Sequence, residues 1–478
     1  MTIFIHAYRS FSARYILGTD IFRALKSSGN RLIIFVKDDE LDHFKGVFQD
    51  PQIEIEPVLY QEGIQLLRRS LLVRSLNLVR IMTAGSQPGF RNSTVLMRRI
   101  QYKKEFKGTK GKLVYAIITM LSRITCASYL ARKLLSKLLY YTIDGKLYDH
   151  FFDKYRPNTL IISSLGYGID IPFMNSAKRN NCTIISVPHS WDNSSTTGYR
   201  GSEPNKVITW NNTMAREVEV FHDINPQNVY AGGIAHWDKY STTDAAPPDR
   251  VSFCENHSLD PNKKILFYPL SGPRHYERRF DVIEGILKSI KSRQIIQPSQ
   301  LLVRFHPLYI EPDKNGVSLL DHNLDVLNKI KKEYGEIVKF WTPKRPHMNK
   351  PSTLSMEDML SMAHAIQISD LIIQEYSTLI LESTVFDKPL INISMYLWEQ
   401  DLPSEALMKF KHLNHVFQYG SLRNARSFEE FIKIANQYLA NPSLDHKERK
   451  KLFNTEVNIN FGSAGNKIGK YIIENLSA

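Results

Sequence analysis

Cysteine is scarce: there are three in 478 residues, Cys126, Cys182 and Cys254, odd in number and far apart. That count argues against a disulfide framework and a thiolate zinc site, and it suits a reducing cytoplasm. Long hydrophobic runs are missing too. The longest candidate, residues 113–121, is nine residues and stops before Arg123, well short of the ~20 that a membrane-crossing helix needs. Residues 2–7 are apolar, but Arg9 and Arg14 follow at once, so no export signal is expected. The first strand-to-helix loop has no G-x-G-x-x-G, which removes the dinucleotide fingerprint. No Asp-x-Asp pair occurs, and Asp38 and Asp39 stand side by side, so neither a metal nor another cofactor is expected to be required. Internal repeats and low-complexity tracts are absent as well.

Acid is nearly missing from one stretch. Residues 68–137 hold sixteen Lys or Arg and a single acid, Glu105, a local charge of +15 in a chain whose total is +14. The rest is close to neutral, so the excess is a localised electrostatic device. Residues 65–81 set Leu66, Leu67, Leu71, Val73, Leu78 and Ile81 among four arginines. Residues 130–141 place Leu130, Leu134, Leu135 and Leu138 at helical spacing, with Arg132, Lys133 and Lys137 between them. Both read as amphipathic cationic helices. Arg68, Arg69, Arg74, Arg132, Lys133 and Lys137 are therefore candidates for contact with an anionic inner-membrane surface or a lipid-phosphate acceptor. The plainer reading is core helices with one wet face. No RNA or DNA module is recognisable, so no nucleic-acid partner is expected.

With 42% hydrophobic and 23% charged residues, the composition is that of a globular protein, and the length allows two or three domains. Short apolar runs at residues 2–7, 31–36, 159–163, 182–187, 206–210, 264–268, 300–305, 334–341, 371–373 and 390–393 alternate with helical patterns. That alternation predicts an α/β protein with parallel sheets. Residues 8–15 read as a loop. The polar residues 198–204 read as a hinge, dividing an N-terminal domain, 1–203, with the basic segment 64–141 inserted, from a C-terminal domain, 204–478. The last helix is a candidate to pack back on the first domain.

Loops after strand carboxyl ends line the crevice of such sheets. They carry Arg9, Ser12 and Arg14 after the first strand, His189 and Asp192 after residues 182–187, Ser271, Gly272 and Arg274 after 264–268, and Arg304 and His306 at the end of 300–305. An imidazole titrates near neutrality, so His189 suits a base that removes a proton from an acceptor hydroxyl. Asp192 could orient that ring or be the base itself, with Asp170 in reserve. A histidine bonded to a turn and an Asx cap are the plain alternatives. Arg9, Ser12 and Arg14 could touch an acceptor or a diphosphate.

The most informative stretch is residues 369–389, SDLIIQEYSTLILESTVFDKP. A buried strand at 371–373 gives way to Glu375-Tyr376-Ser377-Thr378 and then to a helix start. Two hydroxyls at a strand-to-helix junction favour phosphate, and Glu382, one turn on, could accept from ribose hydroxyls. An ordinary capped helix is the alternative. Glu375-Tyr376-Ser377-Thr378-Leu379-Ile380-Leu381-Glu382 resembles the D-Y-S-S-x-x-F-D segment of the CDP-glycerol glycerophosphotransferases and the donor-nucleotide segment of many GT-B glycosyltransferases, with Glu for Asp at 375 and 382. Arg304-Phe305-His306-Pro307 resembles the R-x-H-P element of the first family. Residues 188–193, PHSWDN, are similar to the loop carrying its W-H-G histidine and to the W-D-N loop of surface-carbohydrate transferases.

The resemblance implies two Rossmann-like doubly wound domains facing across a cleft. It implies donor nucleotide and phosphate contacts from Arg304, His306, Ser377, Thr378, Glu382, Ser271, Gly272 and Arg274, and a base from His189 or Asp192. The expected activity is transfer of a sugar from a UDP-, CDP- or CMP-linked donor to a hydroxyl of a lipid-linked or polymeric surface-glycan precursor, in the cytoplasm and at the inner face of the membrane. A glycerol- or polyol-phosphate transferase, a UDP-sugar 2-epimerase and a non-catalytic nucleotide-binding assembly subunit remain as alternatives.

Overall fold

Near-continuous Ile, Val, Leu and Phe runs suit parallel strands buried on both faces. In the computed structural model they form two such sheets; it describes residues 1–143, 146–242, 246–273, 278–313, 315–343, 356–395 and 407–476. The chain divides into one unit of Met1–Asp238, Phe410–His412 and Asn458–Ala478, and a second of Lys239–Lys409 and Leu413–Val457.

The first unit holds β1 (Thr2–His6), β2 (Arg31–Val36), β3 (Ile53–Pro57), β4 (Thr159–Ile162), β5 (Thr183–Ser186), β6 (Lys206–Thr209) and β7 (Val229–Ala231). All pair in parallel, in the order β3-β2-β1-β4-β5-β6-β7. The chain steps outward from β1 to β3 and then returns on the other side of β1 as β4, so β1 and β4 bracket a topological switch point. Phe4 packs against Phe35 and Phe152, with ring centroids 4.8 and 5.0 Å apart, and Phe173 joins Phe35 at 4.8 Å.

The expected division at 203/204 moves to Asp238, because β6 and β7 extend the first sheet. Residues 198–204 are no hinge. Gly198 has φ 77°, and a Cβ there would lie 2.4 Å from Ile81 Cα; two residues on, Arg200 donates to the His222 carbonyl at 2.6 Å. The final helix, Ala464–Glu474, packs on Asp20–Ser27, where a Cβ on Gly469 would stand 2.5 Å from that of Ala24. Asp238 caps its start, accepting from the backbone N–H groups of Ala464 and Gly465 at 2.9 and 2.7 Å.

Between β3 and β4 lies the basic segment, folded as helices that include Leu71–Ile81, Ser93–Lys103, Gly108–Ala127 and Tyr129–Thr142. Part of its charge turns inward. Arg80 is buried and donates to the carbonyls of Thr197 and Tyr199 at 3.0 and 2.8 Å. Arg132 corrects the expectation of a membrane contact: it is buried in a two-pronged pair with Asp223, at 2.7 and 2.9 Å. Arg68, Arg69, Arg74, Lys133 and Lys137 are exposed.

The second unit holds β8 (Lys264–Pro269), β9 (Ser299–Arg304), β10 (Val338–Trp341), β11 (Leu371–Gln374), β12 (Leu390–Ile393) and β13 (Arg423–Ala425), parallel and ordered β10-β9-β8-β11-β12-β13. Its switch point lies between β8 and β11. Each sheet therefore offers one crevice at the carboxyl ends of its strands.

Candidate functional site

At the first switch point the expected loop is a helix, Ser10–Ile16, entered directly from β1. Its inward side carries Ser12, fully buried, with Oγ 2.5 Å from Ser163 Oγ beyond β4. Ser12 therefore ties this helix to the loop after β4 and offers little to a ligand. Arg9, just before the helix, is aimed by Asp170. Its Nη1 donates to Asp170 Oδ2 at 2.7 Å, and the guanidinium lies between the Tyr8 and Tyr167 rings, 4.4 and 4.3 Å from their centroids. Arg14 lies 5.2 Å from the Phe11 ring.

Asp170 also accepts from Ser164 Oγ, and the Nδ1 of fully buried His6 approaches its Oδ1 at 2.9 Å. Burial pushes the Asp170 carboxyl up, but Arg9 and then His6 and Ser164 overcome it and hold the group well below the ordinary range. A carboxylate so fully engaged is a positioning group, not a reserve base. His6 was not singled out by the sequence, where it is one residue in an apolar run.

His189 follows β5. Its backbone N–H and its Nδ1 both meet the Ser163 carbonyl, at 3.3 and 2.8 Å. A carbonyl only accepts, so Nδ1 carries the proton and Nε2 holds the lone pair. Burial, then the Arg9 charge, lowers the imidazole pKa, against a smaller opposing effect of the Ser163 bond; the ring is neutral at pH 7. The orienting group is thus the Ser163 carbonyl and not Asp192. Asp192 accepts from Ser190 Oγ and from Thr196 Oγ1, the latter at 2.8 Å. Burial alone would raise its pKa, yet His412, the two hydroxyls and His189 bring it below the ordinary value.

In the second unit, Glu375 organises the crevice. It is buried at the end of β11 and accepts from Arg279 Nε and Nη2, both at 2.9 Å, from the Tyr268 hydroxyl and from the Ser271 N–H at 3.3 Å. Ser271 Oγ donates to the Glu375 carbonyl at 2.9 Å, and Arg279 Nη2 reaches the Gly272 carbonyl at 3.4 Å. The Ser271–Gly272 loop is therefore pinned to the 375–378 turn. No spacing links residues 96 positions apart, so Arg279 was invisible in the sequence. Arg274 lies outside the described residues.

Tyr376 has φ 43°, and its N–H donates to Asn392 Oδ1 at 2.8 Å. Ser377 donates from both N and Oγ to Gln374 Oε1, at 2.6 and 2.8 Å, and its Oγ accepts from Leu379 N at 3.3 Å. Thr378 takes the cap position of the helix Leu379–Val385 without a side-chain cap bond. Glu382, one turn in, accepts from the Tyr240 hydroxyl. At the end of β9, Arg304 departs from its expected role. It is buried, donates to Asp358 Oδ1 at 2.6 Å and lies 4.8 Å from the Trp341 ring centroid, so it acts as a support. His306 takes the tautomer opposite to that of His189. Its Nδ1 accepts from the Leu308 N–H at 3.1 Å, which leaves the proton on Nε2, a donor. Among the described residues, no group of three or more His, Cys, Asp or Glu is placed to hold a metal ion.

No protein-family model and no curated protein matches this sequence. Solved structures do match along its whole length. The S. aureus MnaA structure with UDP shares 11% identity at TM-score 0.54, covering 100% of this chain and 97% of that one. The UDP-GlcNAc 2-epimerase of Neisseria meningitidis bound to UDP-GlcNAc shares 10% at TM-score 0.52, covering 99% and 100%. That of Methanocaldococcus jannaschii shares 9% at TM-score 0.51, covering 99% and 100%. At such identities the likeness is one of fold: two Rossmann-like parallel-sheet domains of GT-B type.

Proposed function

We propose that the chain transfers a sugar from a nucleotide-activated donor to a hydroxyl of a lipid-linked or polymeric surface-glycan precursor. The observation that carries this reading is His189, a buried neutral imidazole at the end of β5 whose Nδ1–H is taken by the Ser163 carbonyl, leaving the lone pair on Nε2. Transfer to a hydroxyl needs a base for the proton and a donor for the departing phosphate. The Nε2 of His189 takes the hydroxyl proton while the acceptor oxygen bonds to the anomeric carbon. The bond from that carbon to the diphosphate breaks, and its electron pair stays on the phosphate oxygen; His306 is a proposed phosphate contact. Ser271, Gly272, Ser377 and Thr378, on two loops pinned together through Glu375, are the proposed phosphate contacts. Glu382 is the proposed ribose contact. Arg9, held in place by Asp170, offers a cation for an acceptor phosphate or a diphosphate.

The test is thermal stabilisation by UDP, CDP, CMP, GDP and ADP. A ligand at ~100 times its dissociation constant adds about 2.7 kcal/mol. One nucleotide should stabilise the wild type and not Ser377→Ala or Glu382→Ala; no stabilisation by any of them at millimolar concentration refutes the donor site. With donor and acceptor supplied, His189→Ala should lose about 10²–10⁴ in rate and keep the nucleotide shift. Because burial lowers the His189 pKa, the acid limb of kcat/KM should fall below pH ~6.5.

A second reading, 2-epimerisation of a UDP-sugar, has one observation in its favour: two of the fold relatives above are UDP-GlcNAc 2-epimerases. Incubation with UDP-GlcNAc and no acceptor separates the two. An epimerase forms the 2-epimer, and a transferase leaves the sugar nucleotide unchanged.

A further inference from the structure

Two helices of the first unit carry apolar side chains on the face that water should occupy. In Gly108–Ala127 the buried positions are Ile118, Ser122 and Thr125. Two of these three are polar: Ser122 donates to the Met82 carbonyl at 2.5 Å, and Thr125 bonds Thr83 at 2.6 Å. The outward positions include Leu113, Ile117, Met120 and Ile124, which is 3.6-residue spacing on a single face. Tyr129–Thr142 is apolar on both sides. It buries Leu135 and Leu139 in the core beside the Arg132–Asp223 pair, yet Leu130, Leu134 and Tyr141 are 75%, 57% and 68% exposed.

An ordinary surface helix turns its apolar stripe inward; a contiguous exposed one marks an interaction surface. Cations sit on the same outer faces. Lys133 and Lys137 lie among the exposed leucines of the second helix, and Lys110, Lys112 and Arg123 are exposed on the first. Residues 68–137 themselves hold one acid, Glu105, and from outside that stretch Glu203 acts on Lys133. No helix among the described residues is long and apolar enough to cross a membrane. Apolar residues and cations on one face suit a helix lying in a lipid interface. A second copy of this face is disfavoured, since it would bring like charges together.

We propose that the outer faces of Gly108–Ala127 and Tyr129–Thr142 dock the protein on a bilayer containing anionic lipid, with the apolar side chains entering the acyl boundary and the lysines meeting headgroup phosphates. This surface goes beyond the transferase reading and stands without it. Sedimentation of the full chain with vesicles of phosphatidylcholine, alone or mixed with phosphatidylglycerol, tests it. Capture by the mixed vesicles is expected, weakened by salt and far poorer on phosphatidylcholine alone. Ile117→Glu combined with Leu134→Glu should lower the partition at least tenfold. Lys133→Gln combined with Lys137→Gln should lower it about 25-fold, at about fivefold per cation. These four positions are exposed or at the helix surface, so circular dichroism should match the wild type. The proposal is overturned if the wild type ignores anionic vesicles or if the glutamate pair binds as the wild type does. It is also overturned if the wild type shows no vesicle capture and forms a dimer that the glutamate pair dissolves, which would assign the face to a second copy.

Discussion

Replacing Glu375 by Gln tests whether one buried carboxylate holds the second crevice together. Both Glu375 and its partner Arg279 are 1% exposed. The carboxylate takes two guanidinium hydrogen bonds, the Tyr268 hydroxyl and the Ser271 N–H. Gln keeps the shape and one acceptor oxygen. It turns an NH2 group toward donors and removes the carboxylate charge that faces the buried Arg279 guanidinium. Breaking a buried pair in this way costs about 3–5 kcal/mol, because the desolvation already suffered by the remaining charge is no longer offset. At about 2–4 °C per kcal/mol for a unit of this size, the midpoint should drop by roughly 10 °C. The assay is urea unfolding of the wild type, Glu375→Gln, Arg279→Met and the double variant, reading the second-unit transition separately where two steps appear. The double variant should be more stable than the sum of the single losses predicts, by at least ~2 kcal/mol. Nucleotide stabilisation should weaken in Glu375→Gln, since the Ser271 loop loses its side-chain anchor and keeps only the bond from Ser271 Oγ to the residue 375 carbonyl. Single losses under ~1 kcal/mol, or strict additivity, would refute the claim that the pair is dry and coupled.

Asp170→Asn should lower stability at neutral pH by about 2–4 kcal/mol. The folded pKa of Asp170 is depressed, so its contribution is present above the unfolded value of ~3.9 and is lost as pH falls toward the folded value. Urea midpoints taken across acid pH should therefore fall less steeply in the variant than in the wild type. Arg132→Met removes the partner of Asp223, whose remaining side-chain donor is the Tyr199 hydroxyl at 2.8 Å; urea unfolding should show a loss of about 2–3 kcal/mol. Gly198→Ala puts a Cβ against the Ile81 backbone at a left-handed φ, and differential scanning calorimetry should show a loss of about 2 kcal/mol or more.

What the sequence disclosed follows the range of the forces involved. Runs such as TLII, TIIS and LIIQ announce buried parallel strands, because their burial on both faces is written locally. KVIT announces a strand as well, but nothing in it says which sheet it joins, and the domain boundary was misplaced for that reason. Residues 8–15 read as a loop because Arg, Ser and Tyr dominate, whereas Ser10–Ile16 is a helix with Ser12 buried against Ser163. His189 and His306 were legible as strand-end histidines, while their tautomers depend on a carbonyl and an N–H that only the folded backbone supplies. Arg132 and Arg304 looked like ligand contacts. Each found a carboxylate far along the chain, Asp223 and Asp358, and became a support.

The return of the last helix to the first unit has a consequence for biosynthesis. Residues after Asp238 up to Val457 belong almost wholly to the second unit, so the Asp20–Ser27 helix leaves the ribosome long before the segment that covers it. At 5–20 residues per second the wait is roughly 20–90 s. During that time Ile21 and Leu25 pack without Ile468 and Ile472, and Asp238 has no helix to cap. A stop codon shortly after Val457 would leave that patch uncovered for good, so truncated chains should be sent to chaperones and proteases although every proposed donor and acceptor residue is still in place.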